Sequence, residues 1–228
     1  INPLDIEIVR DPYGVPHIYG KTDADTAYGL AWAHSEDDFM TIQKAYLAGN
    51  QLLSRHLHND GVIVDFLTQF IESEKTVDRL FNTLSEDFIK ILEAYSQGIN
   101  RYAELNPEKI LVKELFPITP RKMLHYSFLQ LFISNGADKL VSKIISNNTM
   151  DLSNLGINED IQGSNTFAFN NNKTKNGETY LAINTHQPLD GPNSWYEVHL
   201  NSEEGTNILG ATFAGAPCVL TGVNENLA

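Results

Sequence analysis

The spacing of apolar residues changes character once along this chain, and that change limits the folds open to it. Up to about Ser146 the period is mostly helical, whereas from Thr166 onward short alternating runs read as strands. Residues 147–163 lie between. They are polar and rich in turn formers, with Asn147, Asn148, Asp151, Ser153, Asn154, Gly156 and Asn158 among them, and they read as an exposed linker. Helices followed by strands, rather than alternating with them, predict an α+β fold. Three regions result: a mostly helical 1–146, a spacer 147–163, and the start of a sheet region at 164–228.

Local signals sharpen this outline. Leu4, Ile6 and Ile8 alternate with charges ahead of the turn Asp11-Pro12-Tyr13-Gly14, which predicts a hairpin within residues 1–20. Thr22 can cap a helix running past Tyr28, Trp32, Phe39 and Ile42, and Ser85 can cap a second through Phe88, Leu92, Tyr95, Ile99 and Tyr102. Thr119-Pro120 opens a third, with Gly136 as its stop. Strands are expected over 166–169, 179–183, 195–200, 208–213 and 218–221, the first two joined by a turn at Asn176-Gly177.

With 228 residues, 42% of them hydrophobic, the chain can bury a sizeable core. Its formal net charge is −13, and no basic run offsets it, so neither nucleic acid nor an anionic membrane is expected as a partner. No apolar run reaches the roughly 18 residues a membrane-spanning helix needs. Cys218 is the single cysteine, which rules out an internal disulfide and predicts a small buried apolar group. The chain opens at Ile1 without Met or a leader-like segment, and reads as a processed or truncated piece.

Most apparent clusters of chemistry dissolve on inspection. His56 and His58 are two apart and would diverge on a helix. His34 and Asp38 are four apart but have no third ligand nearby, so a solvated helix face is expected there, as for the acidic run Glu36-Asp37-Asp38. No nucleophile elbow, phosphate-binding loop or zinc-protease motif occurs. Gly163-Ser164-Asn165 differs by its placement, where the polar spacer meets the first strand. Cleavage before Ser164 would create a terminal α-amine, whose pKa of about 7.7–8.0 leaves a useful fraction as free base near neutral pH. One residue would then supply both nucleophile and general base.

The segments Ile6 to Ile18 and Ala27 to Asp37 resemble the opening of the penicillin amidase (penicillin acylase) family. Gly163-Ser164-Asn165-Thr166-Phe167-Ala168 is similar to that family's self-processing junction. Asn184-Thr185-His186-Gln187-Pro188, Trp195 to Leu200 and Gly210 to Pro217 resemble the segments that follow, in order. The resemblance implies an N-terminal-nucleophile hydrolase with an αββα sandwich, of which this chain would hold the helical α-chain part and the first β-chain strands. It further implies a precursor that cuts itself between Gly163 and Ser164 into α and β chains, and then hydrolyses a linear acyl amide. A β-lactam side chain and an acyl-homoserine lactone are both open as substrates.

By the same resemblance Ser164 is the nucleophile, His186 supports it, and Gln187 and Thr221 line the acyl pocket. No cofactor is implied for catalysis. Asp138 is a candidate ligand for a structural calcium. The oxyanion donors map beyond Ala228, so the 228-residue chain alone is expected to be inactive. A periplasmic or secreted bacterial location is expected, although one cysteine also suits cytoplasm. A non-enzymatic acidic binding module and a family member that has lost processing are the alternatives.

Overall fold

The computed structural model describes residues 1–134 and 163–227. Six helices and seven strands are defined there, with a few 3-10 turns between them. In chain order they begin with β1 (Glu7–Arg10), β2 (Pro16–Gly20), α1 (Asp23–Gly49), α2 (Ser54–Leu57), α3 (Asn59–Phe70), α4 (Ser73–Leu80), α5 (Glu86–Leu105) and α6 (Pro120–Ser134). Then come β3 (Asn165–Phe169), β4 (Tyr180–Asn184), β5 (Tyr196–Ser202), β6 (Asn207–Thr212) and β7 (Thr221–Val223). The class is α+β, as the pattern predicts.

Helix α1 is the hub. Its start is a capping box: the Asp25 amide donates to Thr22 Oγ1 at 3.1 Å, and the Thr22 amide donates to Asp25 Oδ2 at 3.0 Å. Leu30, Ile42, Tyr46 and Leu47 are fully buried, and most of the helix is buried with them, so it must be covered on several sides. Helices α5 and α6 supply much of that cover, through Leu92, Tyr95, Ile99, Met123 and Leu129. Ser85 and Thr119 cap these two helices through the amides of Phe88 and Lys122. The stop expected at Gly136 lies outside the described residues.

The end of α1 lies against α6 at a point only glycine can occupy. A Cβ on Gly49 would fall 2.3 Å from the Tyr126 Cα and 2.4 Å from its amide nitrogen. Backbone cannot yield as a side chain can, so Gly49→Ala must push the two helices apart. We expect a destabilisation at or above the usual overpacking range of about 1–3 kcal/mol. A lower urea midpoint at unchanged slope would show it, and an unchanged midpoint would refute the close contact.

The main sheet has five strands in the order β1-β2-β5-β6-β7. The β1–β2 hairpin is antiparallel, as expected, but β2 then pairs in parallel with β5, placing His17 beside His199 and Ile18 beside Leu200. Strands from both sides of the 147–163 spacer therefore share one sheet. Residues 147–162 of that spacer lie outside the described residues. Side chains add to the join: Tyr46 donates to the Gly215 carbonyl at 2.7 Å, and Ser202 Oγ donates to Asp23 Oδ1 at 2.6 Å. Strands β3 and β4 form a separate antiparallel pair, connected by residues 170–179 rather than by a tight turn at Asn176-Gly177. Strand β7 begins at Thr221, later than the expected 218–221 run.

Two readings of the sequence are corrected. His34 does not lie on a solvated helix face, although Glu36 and Asp37 of the acidic run beside it are exposed, as expected. Arg10 donates to Asp37 at 2.8 Å and to Glu36 at 3.3 Å, and Tyr196 donates to Asp37 at 2.6 Å. His34 is only 4% exposed and lies flat on the Tyr196 ring, with centroids 3.8 Å apart. The second correction concerns Cys218, which lies in the loop between β6 and β7 and is exposed rather than buried.

Burial pushes the His34 pKa down to about 4, with Asp38 and Asp37 opposing only in part. The folded state thus keeps this ring neutral, while the unfolded chain takes up a proton below the ordinary value of 6.5. Stability should fall as pH drops from 6.5 towards 4, with His34 contributing a loss of about 3 kcal/mol by the acid end of that window. His34→Phe keeps the stack on Tyr196 and removes the titration. It should flatten the fall in urea midpoint across this window; an equally steep fall would contradict the assignment.

Candidate active site

Gly163, Ser164 and Asn165 lead directly into β3. Gly163 has a φ of +119°, a backbone conformation that L side chains rarely adopt, so the peptide before Ser164 is held in a shape that favours glycine. A Cβ at Gly163 would stand 3.9 Å from His186 Nδ1. The imidazole of His186 thus borders the Gly163–Ser164 junction.

His186 is placed by local chemistry and by strand register together. Asn165 and Asn184 are partners across the β3–β4 pair. Past Asn184 the His186 amide donates to Asn184 Oδ1 at 3.0 Å, and His186 takes the left-handed conformation with φ +52°. Asn165 Nδ2 then meets His186 Nε2 at 2.9 Å. Non-glycine residues held at positive φ cost on the order of 1–3 kcal/mol and collect at functional sites. One residue earlier, Thr185 Oγ1 accepts from Trp195 Nε1, and Trp195 stacks on Phe213 at a centroid distance of 4.0 Å. The segment after β4 is thereby tied to the entry of β5 and the end of β6.

The structure sets the His186 ring beside Gly163, the residue before Ser164. Ser164 is exposed, and His186 is half-buried. Gln187 follows His186 and is exposed. Thr221 sits at the start of β7, paired with Ala211 in the other sheet. Among the described residues no strand pairing or hydrogen bond joins it to Ser164 or His186. Asp138 lies outside the described residues, and no group of three or more His, Cys, Asp or Glu able to hold a metal occurs among those described. Asn165 and Asn184 were given no role in the sequence reading. Asparagines beside a strand read as turn formers, and only the pairing register places both around one histidine.

Comparison with known proteins places these features in a family. The penicillin amidase family model matches residues 5–228, and the chain belongs to that family. The acyl-homoserine lactone acylase PvdQ of Pseudomonas syringae pv. syringae is 22% identical over 254 residues, covering 97% of this chain and 32% of that protein. Penicillin G acylase of Escherichia coli is 25% identical over 158 residues, covering 67% of this chain and 18% of that protein. The chain thus spans about a third or less of the length of these relatives. A solved structure of the thermostable penicillin G acylase from Alcaligenes faecalis aligns with a TM-score of 0.47 at 20% identity, over 65% of this chain and 77% of that one.

Proposed function

We propose that this chain is the first part of a self-processing acylase, with Ser164 as the nucleophile of both its own cleavage and substrate hydrolysis. The observation that carries this reading is the junction itself: a glycine at φ +119° directly before a serine at a strand entry, with the His186 ring against it. Family membership supplies the reaction class.

In the self-cleavage step, Ser164 Oγ bonds to the Gly163 carbonyl carbon. The hydroxyl proton passes to the Ser164 nitrogen as the tetrahedral intermediate collapses with loss of the C–N bond, leaving an ester and a free α-amine on Ser164. Water then opens the ester, giving a Gly163 carboxylate and restoring the hydroxyl. The freed amine is now the base. It takes the Ser164 hydroxyl proton as Oγ attacks a substrate amide, and the leaving amine departs with a proton before water hydrolyses the acyl ester. Gln187 and Thr221 belong to the acyl pocket in this reading. Asp138 and a structural calcium have no part in these steps.

After cutting, the two chains would stay associated through the parallel β2–β5 pairing and the buried face of α1. No helix among the described residues is long and apolar enough to cross a membrane. A periplasmic or secreted location is part of the proposal. The substrate is a linear acyl amide. A panel of chromogenic acyl amides with side chains from phenylacetyl to long linear acyl, run on the full-length protein, tests the reading. Turnover of at least one member is expected. No turnover by protein whose β chain begins at Ser164 would contradict it.

A further inference from the structure

We propose that Asn165 is a positioning residue that fixes the tautomer of His186, so that the ring meets the Gly163–Ser164 junction as a hydrogen-bond donor through Nδ1. This rests on the reading of Ser164 as nucleophile and deepens it.

A carboxamide nitrogen donates and does not accept. Asn165 Nδ2 stands 2.9 Å from His186 Nε2, so Nε2 receives that hydrogen bond on its lone pair. A neutral imidazole has one ring proton, which must then sit on Nδ1. Nδ1 is the atom 3.9 Å from the Cβ position of Gly163, and no hydrogen bond to Nδ1 occurs among the described residues. The donor is therefore presented towards the junction.

The backbone gives the ring little freedom to do otherwise. Asn165 opens β3 directly opposite Asn184, and Asn184 Oδ1 holds the His186 amide in the left-handed turn. One asparagine fixes the backbone and the other fixes the ring. The arrangement separates two tasks. The α-amine of Ser164 takes the proton, while His186 Nδ1–H is left to steady the negative charge that develops beside it. A histidine presenting a lone pair here would instead compete with the amine for the same proton.

Asn165→Asp tests this with almost no change of shape, because a carboxylate accepts where the carboxamide nitrogen donates. It should draw the ring proton to Nε2 and leave a lone pair on Nδ1. The direct readout is the pair of ring-nitrogen chemical shifts of His186 in full-length protein carrying 15N-histidine, assigned by difference from His186→Gln. A protonated Nδ1 and unprotonated Nε2 are expected in the parent, and the reverse in Asn165→Asp. A parent ring protonated at Nε2 would overturn the proposal.

The kinetic readout is kcat, which should fall about tenfold to hundredfold in Asn165→Asp with KM little changed, the usual scale for losing a partner that orients a histidine. Asn165→Ala should fall less, since it removes the bias without reversing it. An unchanged kcat in Asn165→Asp would also overturn the proposal. Should the protein neither cut itself nor turn over any amide, the reading of Ser164 fails. The ring-nitrogen shifts still decide the tautomer in that case.

Discussion

Full-length protein carrying Ser164→Ala should remain a single uncut chain with no measurable amidase activity. Both reactions require an oxygen nucleophile at this position, and the alanine methyl offers none. The two losses must occur together, because the same Oγ attacks the Gly163 carbonyl in one reaction and the substrate carbonyl in the other. The fold should survive: Ser164 is exposed, and the core around α1 does not depend on it. A circular dichroism spectrum and urea midpoint like those of the parent would confirm that the loss is chemical. Normal two-chain processing in this variant would remove Ser164 from the account.

The second large effect is expected at His186. Replacing it with alanine removes the ring that borders the junction and leaves the Asn165 carboxamide without that partner. If the ring steadies charge in the transition state, kcat should fall by about 10²–10³, the scale of losing one donor to a developing oxyanion, with a smaller change in KM. Self-cleavage passes through the same kind of intermediate and should slow as well. A change confined to KM would instead place His186 in the acyl pocket. The backbone at φ +52° should tolerate His186→Asn better than His186→Ala, since asparagine adopts that region more readily. The two variants thus separate loss of the ring from strain in the turn.

The helical half of the fold was legible because its signals are local. Thr22, Ser85 and Thr119 each cap the helix expected of them, and the buried positions follow the apolar period. The main sheet was not legible as a whole. Its central pairing joins β2 to β5 in parallel, across more than half the chain, and no nearby turn signals such a partner. The same distance hides the burial of His34, whose ring is covered by Tyr196 arriving with β5, while Arg10 from the hairpin pairs with the exposed Glu36 and Asp37.

The junction was legible in a different way. Gly163-Ser164-Asn165 means little by itself and gained meaning from its place between spacer and strand. Its pairing with His186 follows from the order of the family's segments. What sequence alone did not show is how His186 is held, since that depends on Asn165 and Asn184 meeting across two strands.

If Ser164 becomes a chain terminus, intact-mass measurement of the purified full-length protein, with N-terminal sequencing of each chain, will show it. Two chains are expected, the longer beginning at Ser164 with a free α-amine, and a single chain for Ser164→Ala prepared alongside. A parent protein that stays in one piece, or that is cut at a bond other than Gly163–Ser164, would contradict it.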